Sequence, residues 1–350
     1  MNQPMDVDGL LLDWGATLFN QTPIKGKAKK GFAGLVPRAK TPKTGGKIAK
    51  GGKVGRDATA NTIRGKLTSI AKRSPEVMVK ITGAGRGMKQ IKAHMDYISR
   101  NGKIDLEDQD DRLAAGRVEV EELRDEWAMG ANPLPEEGAR REAFNIILSM
   151  PDGTNPLLVQ RAARDFAARE FDGHQYAMAL HTFDTDPDPE PAPNPHVHLV
   201  VKATAMDGTR LNPRKADLQR WREGFAQALR EHGVEAAATT RAQRLKRNKS
   251  QEATRFGTVT AQIAKGGKGR VPKPTRQGPV SAERVARARA TAEKIQGLYQ
   301  KVLEALQSSE SAQDRTLAVA VLNRFREDGR VGARQAERQA DRGRGIGLER

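Results

Sequence analysis

The sequence contains no cysteine and few aromatic residues. Without cysteine the chain can form no disulfide bond, no thiolate zinc site and no cysteine nucleophile. Aromatic residues make up 4% and hydrophobic residues 37% of the 350 positions, less than a compact globular protein usually has. We therefore expect one well-packed domain with poorly packed flanks. Any metal ion must be held by His, Asp, Glu or Asn.

Long hydrophobic runs are also missing. No apolar stretch approaches the roughly 20 residues that a membrane-spanning helix needs. The first residues, MNQPMDVDGLLLDWGATLF, lack the basic flank and long apolar core of a secretory signal. We therefore predict a cytoplasmic protein that has no membrane partner.

Acidic residues are absent between Asp13 and Asp57, where lysine and arginine alternate with glycine and proline. Such a segment cannot bury enough apolar surface to offset the entropy lost on ordering. We predict a basic, largely disordered arm over residues 1–76. Its apolar head, residues 10–19, is interpreted either as a helix that docks on a partner or as an unstructured terminus.

Positive charge exceeds negative charge over the whole chain. The sequence has 61 Lys and Arg against 43 Asp and Glu, a formal net charge of +18. Such a balance favours a polyanionic partner. Nucleic acid is preferred to an acidic membrane surface because the chain has no long apolar run.

Hydrophobic periodicity begins near Val77 and predicts alternating strands and helices. The predicted strands are VMVKI near 77, and residues 144–150, 175–181 and 196–203. The predicted helices are MKQIKAHMDYISRNG, and residues 157–171 and 213–232. Residues 105–142 read as a charged surface excursion with one short helix around Trp127. This order predicts an α+β fold with a central, mainly antiparallel sheet and helices packed on it.

The last third of the chain has a different composition. Residues 241–274 are basic and rich in glycine, and helical spacing returns at 281–307 and 311–327. We predict three parts: the basic arm over 1–76, a catalytic domain over 77–245, and a basic linker with a helical appendage and a frayed tail over 246–350.

Three of the six histidines lie at the facing ends of two predicted strands. Side chains two apart on a strand point the same way, so His196 and His198 share one face. If the strands pair as a hairpin, His181 lies beside them. Three converging imidazoles suit a divalent metal ion with open positions for a substrate oxygen. The alternative is that all three are ordinary strand residues.

The segment between these strands, TFDTDPDPEPAPNP, contains four acidic residues. Asp184 or Asp186 is the candidate for a further ligand or for a carboxylate that orients a histidine. The other acids are interpreted as part of a solvated loop.

The sequence has three tyrosines that are candidates for a nucleophile. Tyr176 lies inside a predicted strand and Tyr299 in the C-terminal helices. Tyr97, on the first helix of the ordered domain, is the one free to face the end of the sheet. Packing on an amphipathic helix is the alternative role for Tyr97.

Residues 77–245 resemble plasmid relaxases of the histidine-hydrophobic-histidine (HUH) endonuclease superfamily, specifically the mobilization and Agrobacterium-type nicking proteins. The resemblance rests on HMDYISRNGK, FNIILSMPDGTNP, ALHTFDTDP through NPHVHLVVKA, and LNPRKADLQRWREGFAQALREHGVEAAATTRAQR, in the family's order. It implies that Tyr97 is the nucleophile and that Ser149 contacts DNA near the nick. It also implies that His181, His196 and His198 bind the metal. The family pattern usually has an acid where Phe183 stands, so Asp184 is taken as the assisting acid.

The resemblance also implies the function. A relaxase nicks one DNA strand at a plasmid transfer origin through a 5′-phosphotyrosyl intermediate, which initiates conjugative transfer or mobilization. The implied cofactor is Mg or Mn, and the implied partners are single-stranded or melted origin DNA, relaxosome accessory proteins and a type IV coupling protein. Transfer into a recipient cell together with the DNA is a further implication.

Basic residues near the motifs are candidates for contacts to the DNA backbone. Each alone is more often a solvated surface charge. The candidates are Arg86, Arg100, Lys103, Arg241, Arg244 and Arg247.

Two other functions fit parts of the same sequence. A rolling-circle replication initiator uses the same histidine pair and a tyrosine, but its tyrosine generally follows the histidines, whereas Tyr97 precedes them. A non-catalytic DNA-binding accessory protein of the relaxosome would carry the same positive charge. Replacement of Tyr97 by phenylalanine distinguishes an enzyme from such a binder.

Overall fold

A computed structural model describes residues 6–19, 22–23, 57–130, 132–245 and 282–327. Contacts divide the chain into two compact units. The helical unit comprises the described residues within 1–24, 57–72 and 239–350, and the sheet unit those within 73–238. The predicted domain limits at 76 and 245 were drawn from composition and stay a prediction. The linker, the tail and most of the basic arm lie outside the described residues.

The helical unit combines elements from both ends of the chain. Its elements are α1 (Val7–Leu10), a π-helical turn (Leu11–Gly15), α2 (Ala16–Phe19), β1 (Thr22–Pro23), β2 (Asp57–Ala58), α3 (Ala60–Lys72), α8 (Ala282–Gln307) and α9 (Ala312–Glu327). The apolar head of the chain is helical, and Leu11 and Phe19 share a core with Ile63, Val302 and Phe325. Both predicted C-terminal helices are present.

Helix α3 lies in the segment for which we predicted disorder. Its buried residues are Ile63, Leu67 and Ile70, spaced four and three apart on one face. This stripe packs into the apolar core of the helical unit. The neighbouring basic, glycine-rich composition hid a short amphipathic pattern, because the apolar residues find their partners far away in sequence.

The sheet unit contains a six-stranded sheet with the order β3-β6-β8-β7-β4-β5, and all neighbouring strands are antiparallel. The elements are β3 (Met78–Gly85), α4 (Met88–Ile98), β4 (Leu106–Asp108), β5 (Leu113–Ala114), α5 (Arg117–Met129), β6 (Ala143–Ser149), α6 (Pro156–Glu170), β7 (Tyr176–His181), β8 (His196–Lys202) and α7 (Lys215–Glu231). The predicted α+β fold with an antiparallel sheet is confirmed. Strands β4 and β5 were not predicted, because they are too short for an alternating pattern to stand out among charged residues.

Helices cover both faces of the sheet. Helices α6 and α7 pack on one face, where they form a core with alternate strand residues such as Leu148, Val197 and Leu199. Helices α4 and α5 pack on the other face, against Ala177, Ala179 and other strand residues. Because successive residues of a strand point to opposite faces, β8 alternates between these two cores. The histidine positions of β8 fall on the α4 side.

Within the described ranges, the structure has no helix that is both long enough and apolar enough to cross a membrane.

Candidate active site

The three histidines meet at one end of the sheet. In the β7–β8 pair, His181 lies opposite His196, and Ala179 lies opposite His198. Residues directly opposite in an antiparallel pair share a face, so all three imidazoles stand on the α4 side. Their ring centroids are 4.7 to 5.2 Å apart. The predicted hairpin and the convergence of the three side chains are therefore present.

The side chains of this cluster can hold a metal ion. One potential ligand atom from each histidine lies within 4.8 Å of the others. The Nδ1 of His196 donates to the carbonyl oxygen of Asn194 at 2.9 Å, which leaves Nε2 as a lone-pair donor. The Nδ1 of His198 is buried and has no hydrogen-bond partner among the described residues. Neutral imidazole nitrogens of this kind are common ligands of divalent metal ions.

His181 is held more tightly than the other two. Its Nδ1 lies 2.8 Å from a carboxylate oxygen of Asp186, and its Nε2 lies 2.7 Å from the carbonyl oxygen of Ile98. A neutral imidazole can donate to only one of these two acceptors. His181 can bind a metal ion through Nε2 only after giving up the Ile98 carbonyl. The Asp186 contact is the type that orients a metal-binding histidine.

The acid beside the histidines is Asp186 and not Asp184. Asp184 is exposed, whereas Asp186 is 9% exposed and contacts both His181 and Arg100. Of the two candidates that the sequence offered, Asp186 is the one that contacts His181, and a role of Asp184 as the assisting acid stays a prediction. The backbone amide of Asp186 bonds to the Thr182 carbonyl oxygen at 3.1 Å, a turn that brings the later aspartate back towards the sheet. Phe183, in the position where an acid was expected, is 59% exposed.

Hydrogen bonds from Arg100 lower the pKa of Asp186, against the opposing effect of its burial. Burial lowers the pKa of His198 to about 3, and the neighbouring histidines add to this effect. Burial also lowers the pKa of His181, opposed by its bond to Ile98 and by Asp186. The site therefore combines two imidazoles that resist protonation, those of His181 and His198, with a carboxylate that stays ionised.

Tyr97 lies in the last turn of α4, beside the histidines. Its ring centroid is 5.7 Å from that of His198, and the two rings are perpendicular. Tyr97 is 53% exposed, so a substrate can reach it. Tyr176 is 3% exposed, and the Tyr299 hydroxyl in the helical unit donates to the Gln243 carbonyl oxygen at 2.6 Å. Of the three tyrosines, Tyr97 is the one at the histidine cluster.

Arg100 follows Tyr97 by one turn and contacts the same groups. Its Nε and Nη2 donate to the two carboxylate oxygens of Asp186 at 2.8 and 2.9 Å. Its guanidinium carbon lies 4.9 Å from the centre of the Tyr97 ring. We predicted a contact to the DNA backbone for Arg100, but the structure places its charge on an internal carboxylate.

Ser149 ends strand β6 next to the cluster. It lies opposite Met78 on one side and opposite His196 on the other, so the row continues through His196 to His181. The side chain is buried, and its hydroxyl donates to the Met150 carbonyl oxygen at 3.3 Å. Ser149 thus lies in the predicted neighbourhood, and its contact to DNA stays a prediction.

His94 is a fourth histidine at this site, and it was not among the residues predicted from the sequence. Its ring lies nearly parallel to that of Tyr97, with centroids 6.0 Å apart, and 6.3 Å from His198. Its Nε2 is buried without a hydrogen-bond partner among the described residues, and burial lowers its pKa to about 4. The signal was the spacing of three residues between His94 and Tyr97, which places both on one helix face.

The remaining candidates for DNA contacts are distributed over both units. Arg86 and Lys103 are exposed in the sheet unit, where Arg86 precedes α4 in the sequence and Lys103 follows it. Arg241 and Arg244 belong to the helical unit, where Arg244 donates to the Thr239 carbonyl oxygen at 2.6 Å. Arg247 lies outside the described residues. Contacts of these residues to DNA stay predictions.

Residues 97–234 match the family model described as "Relaxase: MobA/VirD2-like, nuclease domain". The matched segment begins at Tyr97 and contains Ser149 and all three clustered histidines. No match to a curated protein was found.

Proposed function

Because residues 97–234 belong to the MobA/VirD2-like relaxase nuclease family, we propose that this nuclease cuts one specific DNA strand at a plasmid transfer origin and becomes linked to it through Tyr97. DNA nicking for mobilization is the function that the family implies in general. The single observation that supports our assignment of Tyr97 is its position, exposed and 5.7 Å from the His198 ring. In the proposed complex, the scissile phosphate contacts both this phenol and the histidine cluster.

The proposed reaction is a transesterification. The phenol oxygen of Tyr97 attacks the scissile phosphorus and loses its proton, while the bond from phosphorus to the 3′ oxygen breaks. The leaving 3′ oxygen takes up a proton, and the 5′ phosphate becomes an ester of Tyr97. One phosphodiester replaces another, so the step is reversible and resealing needs no nucleotide cofactor.

The histidine cluster supports the proposed use of a divalent metal ion. His196 and His198 each retain a nitrogen for coordination, and His181 is oriented by Asp186. A bound Mg or Mn ion would offset charge on the non-bridging oxygens of the phosphate. The protein itself contributes the fixed positions of the imidazoles, the ionised Asp186 and the phenol.

The proposed substrate is single-stranded or locally melted DNA of a transfer origin. The scissile phosphate must reach Tyr97 and the histidines together, and an intact duplex would hold it on a stiff double helix. Exposed Arg86 and Lys103 lie in the same unit as the site and are the proposed contacts to flanking phosphates. Initiation of transfer with accessory proteins, a type IV coupling protein and passage into a recipient cell are part of this proposal.

The test is detection of the covalent intermediate. The full chain is incubated with Mn and an origin oligonucleotide labelled on the 5′ phosphate side of the nick, and the products are separated on a denaturing gel. We expect a labelled protein band that Tyr97→Phe abolishes while affinity for the oligonucleotide is kept. Tyr176→Phe is the matched control, because it removes a phenol oxygen from a buried position in strand β7.

Two results would contradict the proposal. A labelled band of full strength with Tyr97→Phe would show that another residue carries the strand. Cleavage without any labelled protein band would indicate that the enzyme activates water, as hydrolytic nucleases do.

A further inference from the structure

We propose that Arg100 is a positioning residue that holds the Tyr97 ring towards the histidine cluster, and that it is not a contact to the DNA backbone. This inference rests on the proposed function of Tyr97 as the nucleophile. It concerns a residue whose charge alone suggests phosphate binding.

The charge of Arg100 is already neutralised within the protein. Its guanidinium makes two parallel hydrogen bonds to Asp186, and a second ion pair reaches Asp188 at 3.2 Å. The Arg100 side chain is 16% exposed and that of Asp186 is 2% exposed. Together the three groups have one net negative charge, so this group repels a phosphate. Paired guanidinium and carboxylate groups of this geometry are among the strongest ion pairs in proteins.

The guanidinium also lies over the Tyr97 ring. Its carbon is 4.9 Å from the ring centre, within the range of a cation–π contact. His94 lies nearly parallel to the same ring, at a centroid distance of 6.0 Å. His94, Tyr97 and Arg100 follow one another at intervals of three residues. The Tyr97 ring therefore lies between His94 and Arg100 along the chain. One edge of the ring stays accessible to a substrate.

The backbone conformation at Arg100 places this side chain at the end of α4. Arg100 has φ +51°, directly after the end of α4, although it is not a glycine. A side chain in the left-handed region costs free energy and persists where the surrounding structure holds it. The backbone is held by the hydrogen bonds that end α4, such as the one from the Asn101 amide to the Asp96 carbonyl oxygen at 2.8 Å, and the side chain is held by its contacts to Asp186, Asp188 and Tyr97.

Asp186 connects the arginine to the metal-binding residues. One of its oxygens lies 2.8 Å from Nδ1 of His181 and 2.9 Å from Nη2 of Arg100. A single carboxylate thus orients a proposed metal ligand and, through Arg100, the proposed nucleophile. The distance between phenol and histidine cluster depends on this connection.

The first experiment separates rate from affinity. Arg100→Met and Arg100→Lys are compared with wild type for the single-turnover rate of covalent adduct formation at saturating DNA, and for the Kd of the same oligonucleotide at several salt concentrations. For both variants we expect a rate at least tenfold lower, a Kd within twofold of wild type and an unchanged salt dependence. Lysine should not restore the rate, because it lacks the planar fork that serves Asp186 and the ring together.

Lys103→Ala is the comparison for a DNA contact. This variant removes an exposed positive charge three residues after Arg100 in the sequence. We expect it to weaken binding and to reduce the slope of log K against log salt by about one. An Arg100→Met variant with this same behaviour and a wild-type rate at saturating DNA would overturn the inference.

A second measurement does not depend on activity. The ring signals of Tyr97 in ¹³C-tyrosine-labelled protein report its contacts with the neighbouring rings and with Arg100. We expect a shifted and broadened Tyr97 signal in Arg100→Met and Arg100→Lys, and an unchanged one in Lys103→Ala. An unchanged signal in both Arg100 variants would refute the positioning role. If wild type formed no adduct, the proposed function would fail, and the ring signals would still decide the role of Arg100.

Discussion

The turn that follows α4 should be unusually sensitive to one methyl group at Gly102. Arg100, Asn101 and Gly102 have φ values of +51°, +59° and +82°, so three successive residues are left-handed. A Cβ atom at Gly102 would lie 2.5 Å from the backbone nitrogen of Arg117 and 2.7 Å from its Cα. These atoms belong to the start of α5 and cannot rotate away. Gly102→Ala therefore combines an unfavourable backbone conformation with a clash against backbone.

The expected loss of stability in Gly102→Ala is the sum of the backbone cost and the cost of the clash. A left-handed backbone costs an alanine about 1 to 2 kcal/mol more than a glycine. Overpacking that forces the backbone to shift costs about 1 to 3 kcal/mol more. Gly153 is the matched control, because it has φ +80° and an alanine methyl group there would have no described atom within 4 Å. We expect Gly102→Ala to lower the free energy of unfolding by about 2 to 5 kcal/mol, and Gly153→Ala to lower it by only about 1 to 2 kcal/mol.

The assay is hydrogen exchange of the strand amides of β6 and β8 in the two variants and in wild type. These amides lie in the centre of the sheet, so their protection reports global unfolding of the sheet unit. The two variants share the backbone cost and differ in the clash. Equal loss of protection in both would refute the argument that contact with the start of α5 makes Gly102 necessary.

Two further predictions concern the histidines. Mn at a concentration of 100 Kd should raise the free energy of unfolding of wild type by about 2.7 kcal/mol. Thermal unfolding should show the same stabilisation for the control variant His232→Ala, whose histidine bonds to Asp165 and not to the cluster. It should show no stabilisation for His198→Ala. Burial lowers the pKa of His94 to about 4 and that of His198 to about 3, so below pH 6.5 the unfolded chain binds protons that the folded chain does not. In metal-free protein, the contribution of these two histidines to the free energy of unfolding should therefore be constant above pH 6.5 and should fall between pH 6.5 and 4, by at most about 1.4 kcal/mol per pH unit for each histidine. Denaturant titrations should show a shallower fall for His94→Gln, and an equal fall in that variant would contradict the assignment.

Long periodic segments of the sheet unit were predictable from sequence. The strands around 144–150 and 196–203 appear as Ala143–Ser149 and His196–Lys202, because their apolar runs are long enough to show which residues face a core. The unpredicted elements include β4, β5 and α3, which are short or lie among charged residues. Strand β4 pairs with β7, and α3 packs into a core with residues of α8 and α9, so these partners are distant in sequence and local pattern does not contain this information.

Some features of the candidate site were likewise predictable from local sequence, and others were not. The convergence of the three histidines follows from strand alternation and a hairpin, both of which are local rules. The choice of Asp186 over Asp184 depends on how the chain turns after β7, and the sequence offered both equally. Arg100 looked like a surface charge, because the carboxylates that neutralise it lie more than eighty positions further along the chain. Burial and pairing, more than residue type, determine what a charged side chain does.

The electrostatics of the site lead to a last prediction about DNA binding. His181 and His198 resist protonation, Asp186 stays ionised, and the charge of Arg100 is neutralised by two aspartates. These side chains favour a cation over an anion, so the scissile phosphate should bind here well only when a divalent metal ion is present. We expect chelator to weaken binding of an origin oligonucleotide at least fivefold, measured by fluorescence anisotropy at constant ionic strength. An oligonucleotide with a neutral methylphosphonate at the scissile position should bind equally with and without metal, because it lacks the negative charge that the ion would offset. If chelator weakened the binding of both oligonucleotides alike, the metal would act on the fold or on flanking phosphates, and the histidine cluster would not be the place where the scissile phosphate is held.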